Sequence, residues 1–512
     1  MPKSFVNNRR IAKNTIFLYI RMLVIMLISL YTVRAFLDIL GETDYGLYNV
    51  IGGVVAMFSF LNGTLATSSQ RYFSVSLVEK ISSRINNIFC LNLTIYIYLT
   101  LAIVLILETA GLWFVNNKLI IPAERLSAAN VVYQISILTF VLQMFSIPFN
   151  ALLIAHERMK AFAFIGILEA LLRLAFVFVL MHSPFDKLVF YAVLMFCLYT
   201  TVTFIYIIYC RKHFEESKFK FYWNKREAIE MLGFSGWHFF GTFAVVAKGQ
   251  GVNILLNMFF GPAVNAARAI AFQVNNAVNQ FTSNFFTAVK PQIYKSYAAH
   301  EYKSMHELII RSTILSLFLA SVLIVPILLN TQYILGLWLR ELPDHVVIFT
   351  QLVLIDSLIE VTNGPMISSV LATGKIRSYM IVVSSIIFSI LPFSYVALRM
   401  GFAPATTMII TIVISSINII VRSLFLRRMI NFPLRHYYAM FFRIAVATVI
   451  VLVPFFFLIG NKIGNFFVLA LSFALFASML AISYYLIVLS HHDKNVLNSY
   501  ISKRIIRKMP KQ

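Results

Sequence analysis

The sequence has little charge for its length. Asp, Glu, Lys and Arg make up 12% of its 512 residues and hydrophobic residues 60%, whereas charged residues make up about 25% of an ordinary soluble protein. So few charged side chains cannot cover the surface of a soluble protein of this size. The composition therefore excludes a set of soluble domains and predicts an all-α, polytopic membrane protein.

Acidic residues are especially scarce. There are 20 Asp and Glu against 43 Lys and Arg, giving a net charge of +23. Such an excess can indicate a nucleic-acid partner, but here position explains it. With the N-terminus in the cytoplasm, 31 Lys and Arg fall on the cytoplasmic side and seven on the other. This asymmetry predicts that both termini are cytoplasmic and requires no nucleic-acid partner.

Cysteine and enzyme motifs are nearly absent. The three cysteines, Cys90, Cys197 and Cys210, have no metal-ligand spacing, so neither a disulfide framework nor a metal site is indicated. No glycine-rich phosphate loop, nucleophile elbow or His-Glu-x-x-His run occurs. The acidic residues Glu42 and Asp44 in the first outer loop favour a loop-capping role over catalysis. The sequence predicts a protein that is not an enzyme and needs no cofactor.

Long apolar runs dominate the chain. A membrane-crossing helix needs about 20 mostly apolar residues. The run after the basic N-terminus has this length and no cleavage site, so we expect a retained first helix. The same criterion predicts fourteen spans, at 14–37, 46–68, 86–115, 127–153, 161–182, 187–210, 232–260, 263–289, 308–330, 346–372, 378–400, 404–426, 438–460 and 464–490.

A shift of 220 residues indicates an internal repeat. Gly41 then falls on Gly261, and each is followed 30 residues later by a basic connection, at Arg71 and Pro291. This pattern predicts two pseudo-symmetric six-helix lobes, 1–215 and 216–430, followed by two extra helices and a basic tail in 431–512. The cleft between such lobes is the natural transport site.

Two basic residues lie deep within predicted spans. A charge there costs about 2.5–3.5 kcal/mol on insertion scales and marks a functional site or an internal pair. Lys248 is central in its span, between flexible glycines and too far from either end to reach the headgroups. Arg268 lies nearer the outer end of the next span. We expect both to face a water-filled cavity that suits an anionic substrate. Arg21 could face the cavity or extend to the headgroups.

The span that carries Arg268 is also rich in amides. Gln273, Asn275 and Asn279 recur along it. Unpaired amides are costly in hydrocarbon, so this span lines water or packs through a polar seam. We favour water and expect these amides to line the cavity.

Acidic residues occur at helical spacing in two spans. Asp356 and Glu360 are four residues apart, which fits a proton- or cation-coupling site or the neutralisation of a nearby basic residue. Glu169 and Arg173 have the same spacing, and here a structural ion pair is favoured over ion coupling.

Two groups of segments carry a family resemblance. The first group is 8–19, 40–53 and Gln70-Arg71-Tyr72; the second is 248–251, 260–261, Asn265-Ala266-Ala267-Arg268 and 290–293. Both groups resemble the polysaccharide (O-antigen and capsule) flippases of the MOP transporter superfamily, which also contains the MATE proteins. The second group is similar to the Bacteroidota branch of these flippases in particular.

The resemblance implies an inner-membrane flippase for undecaprenyl-diphosphate-linked oligosaccharide, working by alternating access in O-antigen or capsule biosynthesis. It places Arg21 with Lys248 and Arg268 in a cationic cavity. It also implies contact with membrane lipids and with polysaccharide polymerase or ligase proteins. A MATE-type drug or metabolite antiporter and a membrane glycosyltransferase or polymerase are the alternatives.

Overall fold

The computed structural model describes residues 3–56, 58, 60–79, 82–117, 121–260, 262–339, 342–459, 465–490 and 494–495. Nearly all of these residues are helical, and no strand occurs among them. The predicted all-α class is confirmed.

The helices are numbered here in chain order. They are α1 (Lys3–Ala56), α2 (Phe60–Glu79), α3 (Ser82–Ile106), α4 (Leu112–Asn117), α5 (Leu126–Ala155), α6 (Met159–Met181), α7 (Lys187–His213), α8 (Lys225–Phe260), α9 (Pro262–Ala298), α10 (Tyr302–Leu329), α11 (Thr331–Trp338), α12 (Val346–Glu360), α13 (Asn363–Thr373), α14 (Arg377–Phe388), α15 (Ile390–Arg399), α16 (Thr406–Ile430), α17 (Leu434–Ile459) and α18 (Phe466–Ser483).

Ten helical stretches of the described chain are long and apolar enough to cross a membrane, and the pair α12 and α13, bent by 41°, makes up to eleven. The protein is therefore a multi-pass membrane protein. The three other predicted spans, 14–37, 46–68 and 263–289, are largely helical, and each contains side chains that lie outside the described part of the chain. The first includes the shorter apolar helical stretch Asn14–Ser29, and the third belongs to α9, which is rich in amides.

The loop expected between the first two spans is not seen. α1 is helical throughout 38–45, and the helix breaks instead between Ala56 and Phe60, inside the second predicted span. Asp44 lies on this helical stretch and is bound by Arg125, with 2.8 Å between Oδ2 and Nη2. Glycines such as Gly41 and Gly46 cost a helix only about 1 kcal/mol each, too little to end it. The side chains of 41–43 lie outside the described residues.

The chain forms two compact units. Unit 1 comprises Met1–Phe243, Asn284–Met305 and Leu371–Ile381. Its largest apolar core joins α1, α2, α3, α5 and α7 and includes Ile51, Val132, Tyr133 and Met144. Close packing of this core fixes the relative positions of those helices.

Unit 2 comprises Ala244–Ser283, His306–Val370 and Val382–Gln512. Its main core includes Leu256 of α8, Ala271 of α9, Phe349 of α12 and Ile414 of α16. These four helices carry most of the predicted site residues. The predicted lobes, 1–215 and 216–430, and the segment 431–512 were defined by an internal repeat, not by compactness. They stay predictions.

Candidate functional site

Lys248 on α8 faces an acidic residue of α12. Its ammonium Nζ lies 3.9 Å from Oδ2 of Asp356, and each side chain is 18% exposed. The separation is at the outer limit of an ion pair. Asp356 thus partly neutralises a basic residue, which is one of the two roles its sequence position allowed. An ion-coupling role for Asp356 stays a prediction.

Glu360, one turn further along α12, has polar partners on both carboxylate oxygens. Oε2 accepts a hydrogen bond from Nδ2 of Asn363 at 2.9 Å, and Oε1 accepts one from Oγ of Ser415 at 3.2 Å. In contrast, Oδ1 of Asp356 is buried with no hydrogen-bond partner in the described part of the chain. Asp356 therefore has spare capacity for a proton, a cation or a water molecule.

Arg268 is the most enclosed of the predicted cations, with 5% of its surface exposed. Its guanidinium lies 4.3 Å from the ring centroid of Phe272 and donates to Oδ1 of Asn253. Among the described residues no carboxylate lies within 4 Å, and its buried Nε has no hydrogen-bond partner. A buried cation without a compensating anion is costly, so this arrangement leaves Arg268 able to bind an anion.

The predicted amides of α9 differ in their surroundings. Asn279 accepts a hydrogen bond from Oγ of Ser357 on α12 at 2.8 Å. At this position α9 therefore packs against α12 through polar side chains, which is the second of the two predicted alternatives. Asn275 is half-buried, and its Oδ1 lacks a partner in the described structure. Gln273 is exposed. Asn275 and Gln273 can therefore still bind a polar ligand.

The glycines beside Lys248 serve different purposes. A Cβ atom at Gly251 would lie 2.5 Å from Cδ2 of Leu391 on α15, whereas one at Gly249 would meet nothing within 4 Å. Gly251 thus lets α8 approach α15 closely, and Gly249 borders open space.

Arg21 and Glu169 belong to unit 1. The guanidinium of Arg21 lies 4.6 Å from the ring centroid of Phe162 and presses against Gly166 of the same helix, α6. Its buried Nε has no hydrogen-bond partner among the described residues. Glu169 lies 3.6 Å from Arg173, between Oε1 and Nη2, so the predicted ion pair is confirmed.

A further buried cation, Arg71, was read from the sequence only as part of a motif. It is 9% exposed, and its Nε donates to the carbonyl of Leu371 at 2.7 Å. Its guanidinium also lies over the rings of Tyr72 and Phe234. Arg71 follows the polar residues Ser68-Ser69-Gln70, and its carbonyl partner is 300 positions away in the sequence. No local pattern therefore indicated this contact.

Lys290 and Glu157 also make structural contacts that the sequence did not indicate. Nζ of Lys290 donates to Oγ1 of Thr67 at 3.1 Å. Glu157 accepts from Nε2 of Gln292 and from Nζ of Lys295. These bonds join α9 to α2 and to the turn between α5 and α6, all within unit 1.

The predicted site residues of unit 2 are basic, acidic and amide side chains. No group of three or more His, Cys, Asp or Glu residues able to hold a metal ion occurs in the described ranges. Among the predicted site residues, unit 2 holds the enclosed guanidinium of Arg268, the loosely paired ammonium of Lys248 and the carboxylate of Asp356, one oxygen of which has no hydrogen-bond partner in the described structure.

Comparison with known structures identifies the fold. The chain is similar to a multidrug resistance MATE family transporter of the MOP superfamily in an outward-facing conformation, with TM-score 0.71, 12% identity, and coverage of 83% of this chain and 96% of the other. It is also similar to a MOP superfamily transporter from Pyrococcus furiosus, described as having a binding pocket of reverse polarity, with TM-score 0.68, 13% identity, and 82% and 96% coverage. At such identity the likeness establishes the fold alone.

Comparison of sequences identifies the family. No curated protein matches the chain. A family model described as polysaccharide biosynthesis protein matches residues 11–297, which is more than half of the chain. The protein therefore belongs to the polysaccharide biosynthesis protein family and has the fold of the MOP superfamily transporters.

Proposed function

We propose that this protein is a flippase that moves undecaprenyl-diphosphate-linked oligosaccharide across the cytoplasmic membrane. The carrying observation is Arg268, a buried guanidinium in a membrane protein of a polysaccharide biosynthesis family, with no described carboxylate beside it. A diphosphate supplies the missing anion, and the planar guanidinium binds phosphate oxygens in pairs.

Lys248 completes the diphosphate site in this proposal. Oδ2 of Asp356 lies 3.9 Å from its ammonium, a distance at which the bond is weak. An arriving diphosphate carries more negative charge and draws Lys248 away. Asp356 is then left with both oxygens free to take up a proton or a cation, with Glu360 beside it on the same helix face. Substrate binding and ion uptake are thereby coupled.

The sugars bind through uncommitted amides. Gln273 is exposed and Asn275 has an unbonded oxygen, so both can exchange hydrogen bonds with sugar hydroxyls. Asn279 becomes available only when it leaves Ser357. In unit 1, Arg21 offers a guanidinium for phosphate, and the Glu169 carboxylate offers a candidate ion site.

Transport proceeds by alternating access. By the positive-inside asymmetry, the N- and C-termini lie on the cytoplasmic side of the membrane. The glycan serves O-antigen or capsule biosynthesis, with polysaccharide polymerase or ligase proteins acting on the product.

A reconstituted assay tests this function. The protein is placed in liposomes with a fluorescent undecaprenyl-diphosphate-linked oligosaccharide, and an impermeant reductant reports the fraction in the outer leaflet over time. We expect Arg268→Ala to abolish translocation and Arg268→Lys to retain part of it. Arg399→Ala, which removes an exposed cation from α15, is the matched control. Normal translocation by Arg268→Ala would refute the proposed site.

The acidic pair Asp356 and Glu360 favours a second candidate, a MATE-type drug or metabolite antiporter, because carboxylates suit cationic cargo. Efflux of cationic dyes from intact cells distinguishes the two. If the protein is an antiporter, dye efflux depends on Asp356, and deletion of the gene leaves surface polysaccharide unchanged. A flippase gives the opposite pair of results. A membrane glycosyltransferase would instead form product from a lipid-sugar donor in vitro.

A further inference from the structure

Unit 1 contains a small cavity, whose walls include the first parts of two membrane-spanning helices, α8 and α14. Its volume is about 160 Å³, and its walls include Tyr72, Phe234, Trp237, Lys375 and Arg377. None of these residues has a part in the proposed translocation site.

We expect the cavity to lie near the edge of the membrane. α8 begins at Lys225 and the span that contains α14 begins at Arg377, so the two cations of the wall lie at the start of one span, and Trp237 lies three to four turns into the other. Exposed aromatic side chains, among them Phe221 and Trp223, precede α8 directly. Aromatic residues of this kind mark the headgroup level of a bilayer.

The cavity has an excess of positive charge. Lys375 and Arg377 are both exposed, and the N-terminal end of α14 adds a partial positive charge. Glu230 is the one acidic residue in the wall. The guanidinium carbon of Arg377 lies 5.3 Å from the ring centroid of Trp237, which limits its motion and orients it for an anion.

The loop that carries these cations is held by a buried residue. Arg71 donates to the carbonyls of Leu371 and Ala372, at 2.7 and 3.3 Å. Gly374 has φ of +74°, and a Cβ atom there would lie 2.3 Å from Nη2 of Arg71. The loop is thus fixed against α2, and Lys375 and Arg377 are positioned before any ligand arrives.

We propose that this cavity binds the phosphate of an anionic phospholipid headgroup. A planar guanidinium and an ammonium at a helix N-terminus suit a phosphodiester, and the aromatic walls suit the glycerol and upper acyl chain. Ile229 in the cavity wall is 60% exposed and offers a further apolar contact. The bound lipid stabilises the loop that Arg71 joins to α2.

Fluorescence quenching tests the lipid contact directly. In a variant carrying Trp113→Phe, Trp223→Phe and Trp338→Phe, Trp237 is the sole tryptophan. The variant is placed in nanodiscs with phosphatidylglycerol or phosphatidylcholine brominated near the headgroup, at equal mole fractions. We expect stronger quenching by the anionic lipid, with apparent affinity about fivefold lower for each of Lys375→Ala and Arg377→Ala. Arg427→Ala/Arg428→Ala, which removes two exposed cations from the last turn of α16, should leave the difference intact.

Other sources of phosphate are distinguished by competition. Unlabelled phosphatidylglycerol should relieve the quenching, whereas inorganic phosphate and traces of undecaprenyl diphosphate should not. Equal quenching by both brominated lipids, or relief only by undecaprenyl diphosphate, would overturn the proposal. If the triple variant does not fold, the phosphatidylglycerol retained by the wild-type chain and by Lys375→Ala/Arg377→Ala in mixed micelles is compared by mass spectrometry. Equal retention then counts against the site. Neither readout requires transport, so this proposal and the proposed function can fail separately.

Discussion

Glu157 and Lys295, 138 positions apart in the sequence, form a salt bridge inside unit 1. Glu157 occupies the turn between α5 and α6 with φ of 59°, a left-handed conformation that is uncommon outside glycine. Its side chain is 2% exposed and also accepts from Gln292. The turn therefore keeps a strained glutamate because its carboxylate anchors the end of α9.

Removing Lys295 should destabilise the protein by leaving this carboxylate buried without its cation. We expect Lys295→Ala to cost about 1–3 kcal/mol, below the range for fully buried pairs because Lys295 is partly exposed. Thermal unfolding in detergent measures the loss. Lys303→Ala, on an exposed position of α10, should change little.

Glu157→Gly separates the effect of the salt bridge on stability from the effect of the left-handed backbone conformation. Glycine relieves the left-handed conformation, by about 1 kcal/mol, yet removes the carboxylate. If Glu157→Gly is more stable than the wild type, the salt bridge does not stabilise the turn and the first expectation is wrong as well.

Lys248 and Asp356 should be energetically coupled. Single replacements, Lys248→Met and Asp356→Asn, each leave one charged partner without its counter-charge, whereas the double replacement removes both charges. We expect the two single losses of stability to exceed the loss in the double variant by about 0.5–2 kcal/mol, as neighbouring residues do. Chemical denaturation of the four proteins completes the cycle.

The same four proteins also test the mechanism. If a bound diphosphate must draw Lys248 away from Asp356, Asp356→Asn should bind the lipid-linked diphosphate more tightly than the wild type. Strictly additive stabilities together with unchanged binding would show that the 3.9 Å contact has no consequence.

Local sequence predicted the features that depend on composition and helical spacing. The Glu169–Arg173 pair follows from one helix turn, and the spans follow from apolar length. Features that depend on distant partners could not be predicted. Nothing near Arg268 in sequence indicates Asn253 as its partner, and nothing near Lys248 indicates Asp356, because tertiary packing alone brings these helices together. The continuous α1 was missed because its turn-like residues are overruled by packing and by the bond from Arg125 to Asp44.

Gly249 and Gly251 should respond differently to the same substitution. Gly249→Ala enters open space and should be neutral or stabilising by up to about 1 kcal/mol, the helix preference of alanine over glycine. Gly251→Ala meets Leu391 and should be less stable than Gly249→Ala by about 1–3 kcal/mol, as overpacked positions are. Thermal midpoints of both variants test this order. In a protein that already carries Leu391→Ala, Gly251→Ala should lower the thermal midpoint less than it does in the wild type. Failure of that rescue would place the cause elsewhere than in the contact of α8 with α15.

A pH-dependent contact links the α7–α8 connection to the turn that carries Glu157. Glu216 accepts a hydrogen bond from Nε2 of His156, the residue that precedes Glu157 in the sequence. Burial alone would raise the pKa of Glu216, but the hydrogen bonds from His156 and from its own backbone N–H, with the charge of His156, lower it overall. A carboxyl group whose pKa is lower in the folded protein stabilises the fold above its unfolded pKa, about 4.3, and loses this effect as the pH falls through the folded value.

Glu216→Gln should therefore lower the thermal midpoint at pH 7, by an amount equivalent to about 1–2 kcal/mol, and the difference from wild type should vanish well below pH 4. The exposed neighbour Glu215 provides the matched control, because Glu215→Gln removes the same charge without the partner. A difference between wild type and Glu216→Gln that persists unchanged at low pH would mean that the carboxylate is not the stabilising species. The stability would then come from the stacking of His156 on Phe214, whose ring centroids are 4.0 Å apart, and Phe214→Leu would be the variant that removes it.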